Sequence, residues 1–426
     1  MTNTASQARL GSVTLTCLVI ANMIGAGIFT TTGFSLASMP DPWWVMLAWI
    51  VGGGIAVTGS ISYGALISRF RESGGEYVFL ARRFHPLAGF LAGWVSMLAG
   101  FSGAIAFAAL AFESYALPVD SHLPRGSLAV AAIIICAAAH GIRRSPGTIS
   151  MNFLVFGKLL LLTGLITLGY VAWFNQPDSP IVREKMTPDV STFATSVMWI
   201  SLSYSGFNAA VYVAEEARVE TVRRAMWLGC AAVTLLYLIL NSLYLYAVPA
   251  TEIAGKEDVA AITARYLGGT NWAWVVRLTI ATALLTSVSS MMLAGPRVYN
   301  KMANDRLLPQ WFAFGGDVPT GSILFQAVFS VVIVCAASLE ALLNQLSFVL
   351  SLTSALAVLG LLIPPGTASN RNGMGRPVRL AALCYVIATF AIAGLAASRD
   401  TTALVTASVA LGIGCLFYAA TRRGLR

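Results

Sequence analysis

The chain has 426 residues, of which 11% are charged and 57% are hydrophobic. A soluble domain normally spends about a quarter of its residues on charge, so a soluble enzyme and a disordered chain are both excluded. The net charge of +9 does not indicate nucleic-acid binding, because the basic residues stand in short clusters between apolar stretches. The composition predicts a polytopic membrane protein with a single membrane domain.

Twelve apolar stretches follow one another along the chain, and a spanning helix needs about 20 mostly apolar residues. Strand-like alternation over ~10-residue segments is absent, so the spans are predicted to be helices of an all-α protein. The predicted spans cover residues 12–35, 43–68, 86–112, 127–141, 150–174, 191–214, 225–249, 272–296, 321–338, 342–363, 378–397 and 402–420.

The loop charges predict the orientation of these spans. Nineteen of the 27 Lys and Arg residues lie on the side that holds the N-terminus, and six lie on the other side. Because cytoplasmic loops carry the excess of positive charge, both termini are predicted to be cytoplasmic, in a cell-membrane protein. Two loops on the basic side, 68–85 and 297–320, are candidates for an amphipathic helix each.

The first and sixth spans each contain residues that disfavour a helix about halfway along. The runs are IANMIGAGIF at 20–29 and SLSYSGFN at 201–208, and glycine costs about 1 kcal/mol relative to alanine inside a helix. Small residues also let helices pack closely, which is our interpretation of Gly52, Gly53 and Gly54. For spans one and six we predict interrupted helices instead.

The two interruptions occupy matching positions, since each lies in the first helix of a five-helix block. Paired interruptions of this kind indicate a transporter site near the membrane midplane. The blocks, about 10–175 and about 189–364, are predicted to form a 5+5 inverted repeat. Two extra helices follow at about 376–421.

An interrupted helix offers unpaired backbone groups to a solute. A half-helix that starts after Gly25 directs free N–H groups and the positive end of its dipole into a cavity, and both suit a carboxylate. The preceding half-helix leaves unpaired carbonyls that suit an ammonium group. No Asp or Glu falls in the middle of a predicted span. The predicted site therefore binds a zwitterion through peptide groups.

Four short motifs in the chain resemble those of the amino acid–polyamine–organocation (APC) superfamily of transporters. They are NMIGAGIF at 22–29, SGGEY at 73–77, SYSGFN at 203–208 with Glu215-Glu216 after it, and RVY at 297–299 through DRLLP at 305–309. The resemblance extends over nearly the whole chain. It implies a LeuT-type fold and amino-acid transport by alternating access, with no cofactor and no metal.

The resemblance also implies particular binding residues. The substrate carboxylate would meet the N–H groups around Ala26, and the amine would meet carbonyls near Met23, Ile24, Leu202 and Ser205. Tyr204 and Phe207 resemble gate or side-chain pocket positions. Asn208 stands where a carboxylate would favour a cationic substrate, so its amide indicates a neutral amino acid. A hydrogen bond between helices is an equally open interpretation of this amide. The predicted substrate-binding residues are Met23, Ile24, Gly25, Ala26, Gly27, Leu202, Ser203, Tyr204, Ser205, Gly206, Phe207 and Asn208.

Lys158 is the candidate coupling residue. It lies about 10 Å inside the start of span five by helical rise, where its side chain could also reach the interface by snorkelling. A buried amine has a lowered pKa and could load and release a proton. Similar members of the superfamily carry a lysine where sodium-coupled relatives hold an ion. The resemblance therefore implies sodium-independent symport or exchange, with Ser287, Ser289 or Ser290 as partners of Lys158.

Other polar residues are interpreted as peripheral. Glu113 is expected to be solvated at the outer end of span three, and Arg277 to lie near the outer end of span eight. The three histidines fall at span ends or in loops, and the six cysteines are expected to be small packing residues inside apolar stretches.

Three alternative functions stay open at this point. The chain could carry polyamines or other organic cations, although Asn208 and the lack of buried acidic residues argue against them. It could be a membrane-embedded enzyme or a channel. The sequence predicts an amino acid as the small-molecule substrate, protons or a counter-substrate, and membrane lipids as partners, and it does not determine which amino acid is carried or the oligomeric state.

Overall fold

The regular structure of the protein is entirely helical in the part of the chain that the structure describes. The computed structural model describes residues 10–70, 72, 74–117, 121–142, 148–176, 186–313, 319–363 and 375–423.

Sixteen α-helices follow one another in these ranges, joined in places by tighter or wider helical segments. A π-helical segment, Ser96–Gly103, joins the fifth α-helix to the sixth, and two 3-10 segments lie at Ala209–Glu216 and Gln310–Phe312. The α-helices are α1 (Ser12–Met23), α2 (Gly27–Ser38), α3 (Pro42–Phe70), α4 (Glu76–Arg83), α5 (Pro86–Val95), α6 (Ala104–Ala116), α7 (Ser127–Ile142), α8 (Thr148–Phe174), α9 (Val190–Ser203), α10 (Val219–Tyr246), α11 (Ala250–Ile253), α12 (Val259–Asn304), α13 (Thr320–Ala336), α14 (Leu339–Leu362), α15 (Arg376–Arg399) and α16 (Thr402–Arg423).

Many of these helices have the length and composition of membrane spans. Eight helical stretches of the described chain are long and apolar enough to cross a bilayer, and four shorter apolar helices accompany them. The chain is therefore an all-helical, multi-pass membrane protein, as its composition predicts. The shorter four are Ser127–Gly141, Leu159–Phe174, Val190–Ser203 and Thr320–Ala336.

Two predicted spans differ from simple helices. The span predicted at 86–112 contains the π-helical segment, where the Ser102 hydroxyl donates to the Met97 carbonyl at 3.0 Å. The span predicted at 272–296 belongs to the longer α12, which is interrupted at Gly269 with φ of 79°. Of the two loops proposed to hold an amphipathic helix, the first contains α4. In the described part of the second, residues 297–304 continue α12 and the 3-10 turn Gln310–Phe312 follows.

The helices pack in two groups around the interrupted elements. On one side α1 contacts α10, which packs on α3, and α9 contacts α3, α14 and α15. On the other side α6, α7, α12 and α13 pack together, while α4 lies against α5 and α14. Close packing is confirmed for two of the three adjacent glycines of α3. A Cβ added at Gly52 would lie 2.7 Å from Ile200, and one at Gly53 would lie 2.6 Å from Thr234.

Glu113 is not solvated, contrary to the sequence-based expectation. Its side chain is 7% exposed, and its carboxylate accepts hydrogen bonds from the N–H groups of Gly126 at 2.6 Å, Leu128 at 2.9 Å and Ala129 at 3.0 Å. These donors belong to the first turn of α7, where N–H groups lack acceptors within the helix. The carboxylate is therefore buried because it caps that helix.

The Arg277 side chain, near one end of the predicted span eight, is largely buried. Its guanidinium forms an ion pair with Asp258 and donates to the Ser114 carbonyl at 3.0 Å. Because Asp258 and Arg277 flank the interruption at Gly269, this pair joins the two parts of α12 to the end of α6.

The cysteine prediction holds for half of the residues, since Cys17, Cys136 and Cys230 are buried and Cys335, Cys384 and Cys415 are exposed.

We predict that Glu113→Ala destabilises the protein by about 2 kcal/mol, because buried N–H groups at the start of α7 lose a charged acceptor. The matched control is Glu252→Ala in α11, where the glutamate is exposed. The apparent melting temperature of the purified protein in detergent measures both changes. Equal melting temperatures of the two variants would contradict the capping role.

Candidate solute-binding site

The first predicted interruption is confirmed at residues 24–26. Helix α1 ends at Met23, Ile24 leaves helical geometry with φ of −75° and ψ of 87°, and α2 begins at Gly27. In the first turn of α2 the Phe29 N–H donates to the Ala26 carbonyl at 3.0 Å, whereas the first N–H groups of a helix otherwise lack acceptors within it. There is open space at Gly25, where an added Cβ would meet no atom within 4 Å beyond its chain neighbours.

The second predicted interruption is confirmed at residues 204–208. Helix α9 ends at Ser203, a run of turns follows, and the chain resumes as the 3-10 segment Ala209–Glu216. Gly206 has φ of 98°, a conformation that glycine adopts at little cost and other residues rarely adopt. The 3-10 form of the second half was not predicted.

The two interruptions touch each other through their backbones. A Cβ added at Gly206 would lie 2.7 Å from the Asn22 carbonyl oxygen and 3.1 Å from the Met23 nitrogen. A Cβ added at Gly27 would lie 2.8 Å from the Cα of Ser203. Side chains larger than hydrogen do not fit at either contact. The glycines of the two motifs therefore allow the broken segments to cross.

Tyr237 of α10 joins the ends of both broken helices. Its hydroxyl lies 2.6 Å from the Met23 carbonyl oxygen, to which it donates, and 3.1 Å from the Ser203 carbonyl oxygen. Sequence analysis missed this residue, because a tyrosine in an apolar run looks like a packing aromatic. Each carbonyl oxygen has two lone pairs, so Met23 can still accept a hydrogen bond from a solute ammonium.

Further side-chain bonds hold the start of α2 in place. The hydroxyls of Thr31 and Ser203 lie 3.1 Å apart, and the Trp49 indole donates to Thr32 at 3.2 Å. Thr32 in turn bonds to the Asn241 side chain, one turn beyond Tyr237 on α10. The Thr31–Ser203 hydrogen bond therefore links α2 to the end of α9, next to the contact between the two interruptions.

A cavity of about 510 Å³ begins at the second interruption and extends to the end of α12. This volume is within the usual range for small-molecule sites. At its far end the cavity reaches the exposed Arg297 and Asn304. Six predicted residues line it, namely Leu202, Tyr204, Ser205, Gly206, Phe207 and Asn208. The other six predicted binding residues, Met23, Ile24, Gly25, Ala26, Gly27 and Ser203, are not among the residues that form this wall.

Tyr204 and Phe207, the aromatic residues predicted to be gate or pocket positions, line the cavity and also pack against other aromatic rings. Tyr204 is buried between Trp49 and Tyr237, with ring centroids 5.7 Å and 5.1 Å away, and donates to the Trp49 carbonyl at 3.2 Å. Phe207 packs edge-on against Tyr63 at 5.4 Å. Both therefore stiffen the wall as well as lining it.

Glu76 is a cavity residue that sequence analysis did not select. Its side chain is 6% exposed and lines the cavity. The carboxylate accepts hydrogen bonds from Tyr63 at 2.7 Å, Asn208 at 2.7 Å and Tyr212 at 3.0 Å. The sequence did contain a signal for this residue, the glutamate of the SGGEY run at 73–77. We interpreted that run only as a family motif. A buried acid therefore does adjoin the cavity, which weakens one argument against cationic substrates.

Helix α4 holds Glu76 in position. The next residue, Tyr77, donates its hydroxyl to Asp305 after the end of α12 at 2.7 Å. Burial, followed by this hydrogen bond, raises the pKa of Tyr77. The phenol consequently stays protonated and keeps donating at physiological pH.

The predicted coupling residues stay predictions. The backbone of Lys158 lies in α8, which packs against α1 and α12, but its side chain lies outside the described residues. Ser287 donates to the Ala283 carbonyl and Ser290 to the Thr286 carbonyl within α12. The Ser289 hydroxyl lies 2.7 Å from the His140 ring of α7.

Within the described residues, eight span-length apolar helical stretches and a partly polar cavity among the helices define a multi-pass membrane protein with an internal site. A model of the family described as "Amino acid permease" matches residues 10–416. The chain belongs to this amino acid permease family.

Individual relatives agree with the family assignment. The chain is 26% identical over 400 residues to Asc-type amino acid transporter 1 of Mus musculus, covering 90% of this chain and 74% of that protein. It is 24% identical over 400 residues to large neutral amino acids transporter small subunit 2 of Homo sapiens, with the same coverage. It is 24% identical over 394 residues to b(0,+)-type amino acid transporter 1 of Oryctolagus cuniculus, covering 88% and 79%.

We predict that Gly25→Ala lowers the apparent affinity for substrate by about tenfold or more while the protein still folds. The added methyl would meet no neighbouring atom within 4 Å, so the fold should be kept, and it would take up open space at the interruption where the substrate carboxylate is expected. Amino-acid-induced thermal stabilisation measures the affinity. Gly54→Ala is the control, because Gly54 is exposed and also has open space. Equal affinity in both variants would argue against the first interruption as a binding element.

We predict that Tyr237→Phe costs about 1–3 kcal/mol of stability and weakens substrate binding. The loss of one hydroxyl leaves the buried Met23 and Ser203 carbonyls without their donor. The control is Tyr170→Phe, which removes a partly buried hydroxyl that is bonded to the Ser242 side chain of α10 and to neither interruption. If both variants bind substrate as the parent does, Tyr237 does not organise the site.

Proposed function

We propose that this protein is a secondary transporter that moves neutral amino acids across the cell membrane by alternating access. The proposed architecture has twelve spans, with a 5+5 inverted repeat and two additional helices at the C-terminal end. The observation that carries the proposal is the direct backbone contact between two interrupted helices beside a cavity. Paired interruptions are how such transporters build their binding sites.

In the proposed site, α2 supplies the group that binds the substrate carboxylate. The N–H groups of Gly25, Ala26 and Gly27 would donate to it, assisted by the positive end of the helix dipole. The substrate ammonium would be bound by carbonyl oxygens at the ends of α1 and α9, near Met23, Ile24, Leu202 and Ser205. The substrate side chain would then extend along the cavity toward Asn208.

The proposed state of the structure is inward-open. The cavity extends to Arg297 and Asn304, and the positive-inside rule assigns that basic end to the cytoplasm. The opposite end carries the Arg277–Asp258 ion pair and the capping carboxylate of Glu113. Transport would require these two ends to open in turn around the contact between the interruptions.

Neutral substrates are favoured by two observations. The relatives' names refer to Asc-type and large neutral amino acid transport, and Asn208 supplies an amide rather than a charge to the cavity. Glu76 keeps organic cations as the second candidate, because its carboxylate adjoins the cavity. That carboxylate already accepts three hydrogen bonds, so its charge is partly compensated.

Counterflow in proteoliposomes tests the proposal. Vesicles loaded with unlabelled neutral amino acid should accumulate labelled amino acid faster than unloaded vesicles, and replacing sodium by choline should leave the rate unchanged. A channel would give no trans-stimulation, and a polyamine carrier would respond to polyamines instead. Absence of trans-stimulation by any of the twenty amino acids would refute amino-acid transport.

We predict that Lys158→Ala abolishes proton-linked uptake, because a span-five amine would load and release the proton or occupy an ion's position. The readout is the dependence of uptake on an imposed pH gradient. Lys256→Ala, at an exposed position after α11, is the control for loss of a lysine. An unchanged response to the gradient in Lys158→Ala would remove this residue from coupling.

A further inference from the structure

We propose that Glu76 fixes the orientation of the Asn208 amide. Asn208 lies in the part of the cavity that would receive the substrate side chain, so this orientation decides whether the substrate meets a hydrogen-bond donor or an acceptor there. The cavity wall would then offer acceptors to the substrate side chain and would select side chains that donate. This inference rests on the proposed function, because it assigns specificity to the same amino-acid site.

The orientation follows from the chemistry of the contact. The Asn208 amide nitrogen lies 2.7 Å from a Glu76 carboxylate oxygen. An ionised carboxylate only accepts hydrogen bonds, and an amide has one donating and one accepting end. The reversed amide would place two acceptor oxygens together in a buried site, which costs free energy. The accepting oxygen of Asn208 is therefore the atom left for a solute.

The neighbouring donors are occupied by the same carboxylate. Tyr63 donates to one oxygen at 2.7 Å, and Tyr212 donates to the other at 3.0 Å. Together with the Asn208 amide, these two phenols make three donors directed at the same carboxylate. An ionised carboxylate has about four acceptor sites, and three are used. What Glu76 and Asn208 can still offer to a solute is acceptor capacity.

Contacts on both sides of Glu76 help to position it. Gly74 and Gly75 have φ of 135° and 61°, and a Cβ at Gly75 would lie 2.7 Å from the Tyr212 ring. On the other side, Tyr77 donates a hydrogen bond to Asp305. The backbone that carries Glu76 is therefore packed against one of the donors to its carboxylate and tied to the end of α12.

The consequence is a preference that substrate size does not explain. A site built to hydrogen-bond a substrate group discriminates strongly against an analogue that lacks this group. Side chains with a hydroxyl or amide donor should bind well. Side chains that only accept should bind poorly, and anionic side chains should also be repelled by Glu76.

Two isomeric amino acids separate donor recognition from size. Homoserine has a hydroxyl that donates and accepts, whereas O-methylserine has the same atoms with an ether oxygen that only accepts. Competition against counterflow of a labelled neutral amino acid gives the apparent affinity of each. In the wild-type protein we expect homoserine to compete about tenfold better than O-methylserine.

Glu76→Gln should reduce this ratio to about threefold or less. The glutamine amide can donate to Asn208, which lets the Asn208 amide turn and offer its own donor to the ether. Glu72→Gln is the matched control, because Glu72 is a partly exposed residue of the same connection, paired with Arg82. The control should keep the wild-type ratio.

The outcomes separate this inference from the proposed function. A wild-type ratio below about twofold, or an unchanged ratio in Glu76→Gln, overturns the role of Glu76 while counterflow itself supports transport. Absence of wild-type counterflow with every amino acid instead overturns the proposed function. If Glu76→Gln does not fold, the wild-type ratio and Asn208→Leu decide. That variant removes the acceptor and should lower the ratio as well.

Discussion

Unpaired peptide groups inside a membrane protein must find partners, and this requirement shapes the centre of the molecule. Two helices stop within their apolar stretches, at Met23 and Ser203, and their freed carbonyls receive the hydroxyl of Tyr237. In lipid each unsatisfied group would cost several kcal/mol. The breaks are therefore tolerated because Tyr237 of α10 lies beside these carbonyls and because the backbones of the two interruptions pack against each other.

The sequence predicted where the helices break, but not how the breaks are joined. Glycine and serine clusters disfavour a helix locally, so their effect can be inferred from neighbouring residues. The contact between Gly206 and Asn22 joins residues far apart in the chain and depends on how the spans cross. Tyr237 gave no signal for the same reason, since its role exists only once both carbonyls lie beside it.

The errors concerning acidic residues have one physical origin. Position along the chain suggested that Glu113 is solvated and that no acid adjoins the cavity. Both carboxylates are instead buried because donors surround them: N–H groups of α7 around Glu113, and two phenols and an amide around Glu76. Span assignment cannot anticipate such partners, because α4 carries Glu76 to the cavity from outside the apolar stretches.

The central claim is that peptide groups at the two breaks recognise both charged ends of an amino acid. The most direct measurement is thermal stabilisation by the strongest-binding neutral amino acid, compared with its carboxamide and its N-acetyl derivative. Blocking either end should lower affinity by about a hundredfold, which corresponds to about 2.7 kcal/mol. If either blocked compound binds as tightly as the parent, the breaks do not hold a zwitterion.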